Sequence, residues 1–241
     1  MSKRFFTLCL LICSCFYGNL TSLIEITKSE PQGWVQKGDR WNFKEINEDR
    51  RSEILPILDE MGMFKTVWAK DAHYNYAVVL GALQSSVETR IGHLIDEWSR
   101  GVRFDEVILL TGQRPLHPEK EKSVLHLKTE TAMMLHVWNE AQMPEGLRSI
   151  PLTVIDAPPY LERGRPTTES TVYAWLEMSP KPGSILMVSS QPYVGYQNTI
   201  FDVLLQNFDI QAVGREGGRS LPISVLLDTL GKTENWKERL K

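Results

Sequence analysis

Five short apolar runs punctuate the chain, and polar turns or helical patterns separate them. The runs are Tyr76–Leu80, Glu106–Leu110, Leu152–Ile155, Ile185–Val188 and Ile210–Val213. Continuous apolar runs of this length are typical of strands that are buried on both faces of a parallel sheet. Helical patterns between them indicate βαβ crossovers. We therefore predict an α/β fold, a Rossmann-like three-layer sandwich with a mostly parallel sheet of about five strands.

The segments between the runs place apolar residues at helical spacing. The predicted helices are Val87–Ser99, closed by Gly101, then Ala132–Asn139, a short pattern around Val172, a further one after Tyr193, and Ser220–Leu230. An amphipathic helix is also predicted from Asn47 to about Trp68, where Pro56 either interrupts it or begins its first turn.

The N-terminus has the pattern of a targeting segment. Lys3 and Arg4 precede an apolar run from Phe5 to Phe16, which is short for a bilayer span and suits the core of a signal peptide. We predict that residues 1–18 are a signal peptide or an N-terminal membrane or lipid anchor, with a buried N-terminal strand as the alternative. Ile12–Cys15 resembles a lipoprotein box, which makes Cys15 the lipidation candidate.

The remaining sequence is divided into two parts. Residues 19–45 form a loosely packed connecting segment in which Trp34 and Trp41 are expected to pack onto the domain, and residues 46–241 form a single Rossmann-like domain. Export is the expected route, with the protein periplasmic, secreted or anchored to a membrane through its N-terminal segment only.

Composition excludes several classes of partner and site. The net charge of −3 gives no basic surface for nucleic acid. All three cysteines precede residue 16, so the body offers no disulfide framework and no thiolate metal site. The five histidines show no HExxH-like spacing, and we predict no metal site.

Polar side chains follow the predicted strands, whose carboxyl ends share one edge of the sheet. The candidate ligand-binding residues are Gly81, Arg90, Gly112, Gln113, Arg114, Arg165, Thr167, Thr168, Ser189, Ser190, Gln191 and Tyr193. Arginine presents a planar fork that suits phosphate or carboxylate, and the amides that open the following helices favour the same ligands. Glu130 and Asp156 are the candidate acid or base residues.

Each of these residues also has a structural interpretation. Arg90 would pair with Glu88 or Asp96 on its helix surface, and Arg165 with Glu162 or Glu169. Thr168 would only cap the following helix, and Glu130 would only favour the positive end of its own. The charged stretch Pro118–Lys128 is predicted to be a solvated surface insertion.

No motif identifies a cofactor. The first strand is not followed by GxGxxG, and the chain has no GxxxxGK[ST], so the standard dinucleotide and P-loop devices are absent from the sequence. Ser189 and Ser190 are not in a GxSxG elbow, which gives little support to a serine hydrolase.

Several segments together resemble the YdcF, SanA and ElyC family of envelope-associated bacterial proteins. The segments that carry the resemblance are Val78–Gly81, the later Arg90, Ile108–Gly112, Glu130–Met134, Arg165–Thr171 and Leu186–Tyr193. The chain departs from the family pattern at Ala82 and Gln113, where the family has glycine. It departs again around Tyr193–Gln197, where the family has a histidine and an arginine, so it resembles a divergent member.

The resemblance implies a Rossmann-like sheet, an envelope location and a polar pocket at the strand ends. It gives weight to Arg90, Gly112, Glu130, Thr168 and Ser190 as site residues. The leading hypothesis is an exported protein that binds a small anionic, phosphate- or nucleotide-like ligand in cell-envelope maintenance. The alternatives are a non-catalytic envelope scaffold that contacts other envelope proteins through Pro118–Lys128 and the segment with Trp34 and Trp41, and a serine hydrolase.

Overall fold

The computed structural model describes residues 18–38, 42–159 and 165–240. These residues fall into two compact units. The first, here called the terminal unit, comprises the chain through Lys65 together with the segment from Gly217 onward. The second, here called the sheet unit, is Thr66–Glu216. The domain predicted for 46–241 thus draws on both units.

The elements alternate between strand and helix through the middle of the chain. In chain order they are α1 (18–27), α2 (Pro31–Trp34), α3 (Arg51–Glu60), β1 (His73–Leu80), α4 (Gln84–Ser99), β2 (Arg103–Gly112), α5 (Glu130–Glu140), α6 (Glu145–Arg148), β3 (Leu152–Ala157), α7 (Thr168–Leu176), β4 (Ser184–Ser190), α8 (Val194–Leu204), β5 (Asp209–Arg215) and α9 (Ile223–Lys237), with 3-10 turns at Glu48–Arg50, Lys122–Leu127 and Glu238–Leu240.

The sheet unit confirms the predicted fold class. Its five strands are all parallel and lie in the order β3-β2-β1-β4-β5. All five apolar runs lie within these strands. The Rossmann-like order runs outward from β1 in both directions, so the connections after β1 and after β4 diverge and leave a crevice above these two strands.

Alternate residues of the central strands are buried in two separate cores. Ala77 and Val79 of β1 pack into a cluster with residues of α4 and α5, whereas Val78 and Leu80 pack into a cluster with residues of α7 and α8. Burial of each such Val or Leu side chain stabilises the fold by about 1.5–3 kcal/mol. The two-sided core is what makes the unit a three-layer sandwich.

The segment before β1 covers the free edge of β5. Val67 and Gly214 exchange backbone hydrogen bonds of 2.9 and 3.0 Å in an antiparallel bridge. The Gln211 side chain continues this cover, because its Oε1 accepts from the Lys70 amide and its Nε2 donates to the Trp68 carbonyl. This segment therefore occupies part of the β5 edge that would otherwise be open to pairing with another strand.

The terminal unit has its own apolar core. Leu23, Trp34, Ile54 and Leu58 are fully buried and pack with one face of α9. Trp34 also donates from Nε1 to Thr27 Oγ1 over 3.0 Å, and its full burial leaves it no contact surface for a scaffold partner. Trp41 lies outside the described residues.

Several helix boundaries differ from the sequence prediction, most of all those of the first and last predicted helices. The helix predicted from Asn47 to about Trp68 is a 3-10 turn followed by α3, which ends at Glu60 because Gly62 adopts a φ of +80° and Met63 donates back to Leu58. Pro56 lies inside α3. The last helix begins after Pro222 and extends to Lys237. Gly101 closes α4 as predicted, with a φ of +101°.

The predicted targeting segment, including Cys15, lies outside the described residues except at Gly18. Among the helices that are described, none is both long enough and apolar enough to span a bilayer.

Candidate functional site

Six residues from five parts of the chain meet near the carboxyl ends of β1 and β4. We call this group the strand-end cluster; its members are Gly81, Arg90, Arg114, Glu121, Glu130 and Ser190. It contains two guanidinium groups, two carboxyl groups and one hydroxyl. Its place in the sheet is the crevice where connections diverge on either side of β1 and β4.

Arg90 joins the ends of the two central strands. Its side chain projects inward from α4 and the residue is 2% exposed. Nη1 donates to the carbonyls of Leu80 and Gly81 over 2.8 and 2.7 Å, and Nε donates to Ser190 Oγ over 3.4 Å. Arg90 thus points to the strand ends. It does not point to Glu88 or Asp96 on the helix surface, which was the structural alternative.

Arg114 lies in the loop after β2 and is held between two carboxyl groups. Its Nη1 and Nη2 donate to the two oxygens of Glu121 over 2.9 and 3.1 Å, in a bidentate pair. Nη2 also donates to the Ala82 carbonyl over 3.1 Å and approaches Glu130 Oε1 at 3.5 Å. Burial alone would lower the pKa of Arg114, but Glu121 and Glu130 outweigh it and raise the pKa.

Glu121 is the residue that the sequence analysis missed. The prediction of a solvated insertion is wrong at this position, because the Glu121 side chain is 0% exposed. It accepts from the Arg114 guanidinium and from the backbone amides of Gln84 and His117, at 3.2 and 2.6 Å. Its neighbours Glu119, Lys120 and Lys122 are exposed, as predicted. Glu121 therefore ties the insertion to the first turn of α4.

Glu130 is the most deeply buried acid of the candidate set. It is the first residue of α5, whose N-cap Thr129 accepts from the Ala132 amide, and the residue is 8% exposed. The carboxyl group lies against the Cα of Gly81, where a Cβ would come within 3.0 Å of Glu130 Cδ. A side chain at position 81 would therefore require the Glu130 carboxyl group to shift by a few tenths of an ångström.

The charges around Glu130 act on it in opposite directions. Burial raises the pKa of Glu130, Arg114 and Arg90 lower it, and Glu121 adds to the rise; the balance is a raised pKa. With both carboxyl groups ionised, the two arginines are neutralised. A proton on Glu130 leaves the cluster with one net positive charge. A buried carboxyl group with a raised pKa is suited to acid or base work, as the sequence analysis expected of Glu130.

A second group of candidates lies at the ends of β2 and β3. Asp156 is exposed, accepts from Thr131 Oγ1 over 2.5 Å and accepts from Gln113 Nε2 over 3.1 Å. Gly112 ends β2 in close contact with Pro166, since a Cβ there would lie 2.5 Å from Pro166 Cγ. Thr131 Oγ1 also donates to the Gly112 carbonyl over 3.1 Å, so these residues form a separate hydrogen-bonded group at the ends of β2 and β3.

The polar segment before α7 is organised as a helix start. Thr167 is the N-cap, its Oγ1 accepts from the Ser170 amide, and the Ser170 hydroxyl accepts in turn from the Thr167 amide in a capping box. Thr168, which the sequence offered as the cap, is the first helical residue. Arg165 is exposed. Glu162, one of its two suggested partners, lies outside the described residues, whereas Glu169 is in the first turn of α7.

The segment after β4 turns directly into α8. Ser189 is buried and its hydroxyl donates to Gln197 Oε1, while Ser190 faces Arg90. Gln191 is buried, and its backbone amide donates to the Arg215 carbonyl. The peptide bond between Gln191 and Pro192 is cis. Tyr193 donates from its amide to the Ser190 carbonyl. Ser190 is thus the one member of this segment in the strand-end cluster.

Metal ligation is not indicated within the described ranges, where no three His, Cys, Asp or Glu side chains are grouped to hold an ion. The chain matches no protein-family model, no curated protein and no solved structure in comparisons of each kind.

Proposed function

We propose that the sheet unit binds a small anionic ligand, of phosphate or nucleotide type, at the carboxyl edge of its sheet above β1 and β4. The observation that carries this proposal is the placement of two guanidinium groups at that edge, with Arg90 buried and Arg114 partly buried. Arg90 is fixed by strand-end carbonyls and Arg114 by Glu121. Cations that the protein itself holds in position lose little freedom when a ligand arrives.

The helix ends that follow these strands support the same ligand class. α4, α5 and α8 all begin at this edge of the sheet, and the amino end of a helix carries partial positive charge. Gly195, the second residue of α8, is exposed, and the space beside its Cα is open. A phosphate oxygen can approach the backbone there without a side chain in its way.

The contacts of the two serines disfavour the hydrolase alternative. Ser189 donates to Gln197 and to the Ser190 carbonyl, and Ser190 accepts from Arg90. In the described part of the chain neither hydroxyl is hydrogen-bonded to a histidine that would serve as its base. Nucleophilic serine chemistry requires such a base within hydrogen-bond reach.

We also propose that the protein is exported and serves in maintenance of the cell envelope, as a divergent relative of the YdcF, SanA and ElyC family. The sequence alone supports this part of the proposal. Its support is the charged and apolar pattern of residues 1–18 and the order of the family-like segments along the chain.

The binding proposal is tested by isothermal titration of the full chain with inorganic phosphate, pyrophosphate and nucleotides. Ser190→Ala, Arg114→Lys and Arg165→Ala are compared with wild type, and Arg50→Ala serves as the control because Arg50 is an exposed arginine of the terminal unit. We expect the control to bind as wild type does. Ser190→Ala and Arg114→Lys should weaken binding about tenfold, the loss of one charge-assisted hydrogen bond. Unchanged affinity for every anion in all variants contradicts the proposal.

A further inference from the structure

The balance of charges in the strand-end cluster bears on how an anion would enter it. Arg114 is matched by Glu121 in a bidentate pair, and the cluster contains one further cation, Arg90, and one further carboxyl group, Glu130. When both carboxyl groups are ionised, the four side chains sum to zero. An anionic ligand then gains nothing from the net charge of the cluster.

Glu130 is the group whose charge would oppose the ligand. It is 8% exposed and it lies against Gly81 at the end of β1. An anion above Gly81 and Ser190 would approach this carboxylate in a region with little water to screen the repulsion. The other carboxyl group, that of Glu121, already accepts hydrogen bonds from Arg114, Gln84 and His117.

We propose that Glu130 takes up a proton when an anion binds at the strand-end cluster, so that anion affinity rises as the pH falls. This inference rests on the proposed function and adds its regulation. The proton comes from solvent to a carboxyl oxygen of Glu130, and the cluster then has one net positive charge to meet the ligand.

The groups that face Glu130 set the direction of the effect. They are Arg90 from α4, Arg114 from the β2–α5 loop and Glu121 from the insertion. The arginines favour the ionised form of Glu130, whereas burial and Glu121 favour the neutral form, and the pKa of Glu130 is raised in sum. A bound anion offsets part of the positive charge of the two arginines. The pKa of Glu130 then rises further, and its carboxyl group takes up a proton.

The test is titration of the full chain with sodium sulfate at several pH values between 5.5 and 8. Sulfate keeps its charge throughout this range, so a change of affinity belongs to the protein. For wild type we expect the dissociation constant to rise about tenfold per pH unit above the pKa of Glu130. Titrations in two buffers of different ionisation enthalpy should show uptake of about one proton per bound sulfate.

Two variants locate the effect. Glu130→Gln has the shape of the protonated side chain, and we expect it to bind sulfate at pH 8 about tenfold more tightly than wild type does, with little dependence on pH. Glu140→Gln is the matched control, because Glu140 is exposed at the far end of α5; it should keep the pH dependence of wild type.

The outcomes separate the two proposals. Sulfate binding that does not vary with pH, or whose heat is the same in the two buffers, overturns proton uptake and leaves anion binding standing. The same holds when Glu130→Gln keeps the pH dependence of wild type. The buffer comparison decides the point on wild type alone if Glu130→Gln does not fold. Absence of sulfate binding at every pH overturns both proposals.

Discussion

Glu121 shows what a single residue contributes when a charge is buried with all of its partners. It lies in a run of four charged residues, of which it alone is buried. Four donors satisfy its two oxygens, and the Arg114 pair among them is bidentate. Such a pair gives little net stability over an apolar pair, but removal of one partner leaves an uncompensated charge in the interior.

We therefore expect Glu121→Ala to lower the free energy of unfolding by about 3 kcal/mol, because it leaves the partly buried Arg114 without its main acceptor. Glu119→Ala, two residues away on an exposed side chain, should change it by less than about 0.5 kcal/mol. Urea denaturation of both variants measures the difference. Equal and small effects in the two variants would mean that the buried pair does not form.

The second prediction at the residue scale concerns His93 and the pH dependence of the free energy of unfolding. His93 is fully buried on α4, its Nε2 lies 3.1 Å from the Val67 carbonyl, and its Nδ1 has no hydrogen-bond partner among the described residues. Burial lowers the pKa of His93 below its ordinary 6.5. The unfolded chain therefore binds this proton more readily, so the stabilising contribution is complete above pH 6.5 and is lost as the pH falls below it.

Glu97 and Glu130 change the pH dependence of stability in the opposite direction. Their pKa values are raised in the folded protein, so their contribution to the free energy of unfolding falls as the pH rises above about 4.5. A comparison with His93→Gln isolates the histidine. We expect wild type to lose stability relative to this variant as the pH falls from about 7 to about 5. His73→Gln, an exposed histidine, is the control. Parallel profiles for wild type and His93→Gln would contradict the assignment.

At the scale of elements, the apolar runs were sufficient to locate all five strands. A strand buried on both faces must be apolar at every position, and β1 and β4 meet that condition over four consecutive residues each. Helix boundaries were less certain because they depend on caps. Thr167 and Thr168 are both good caps by composition, and only the hydrogen bonds with Ser170 distinguish them.

The capping box gives a direct prediction for α7. Thr167→Ala should lower the free energy of unfolding by about 1 kcal/mol, because the Ser170 amide loses its acceptor. Thr167→Ser keeps that acceptor and should cost little. Thr168→Ala should have a smaller effect than Thr167→Ala, as measured by thermal or urea denaturation. A larger loss at Thr168 would move the helix start by one residue.

The residues of the candidate site were also only partly predictable from the sequence, because some of them are placed by contacts between separate elements. Position at a strand end identifies Gly81 and Ser190, because parallel strands bring their carboxyl ends to one edge, whereas Arg90 reaches that edge from α4. Glu121 follows no strand, and its burial depends on a pair with Arg114 and a bond from Gln84, which is distant in sequence. The signal available in the sequence was the apolar residue Val124, three positions later. Val124 is buried in the structure, so the insertion has an inward face.

At the scale of the molecule, the order of the strands determines which polar residues can act together. Because β1 lies between β2 and β4, Arg90 and Ser190 meet although 100 residues separate them. The division into two units was not predictable from periodicity, since the terminal unit joins the two ends of the chain around its own core. Local patterns describe α3 and α9 separately and do not say that they share that core.

The most direct test of the anion site is a crystal structure of the full chain soaked with sodium tungstate, a heavy analogue of phosphate. The anomalous scattering of tungsten distinguishes the bound ion from water molecules. We predict a tungstate ion in the crevice bounded by Gly81, Glu130 and Ser190, with Arg90 or Arg114 beside it. Tungstate bound elsewhere on the molecule, with none at the ends of β1 and β4, would contradict the account.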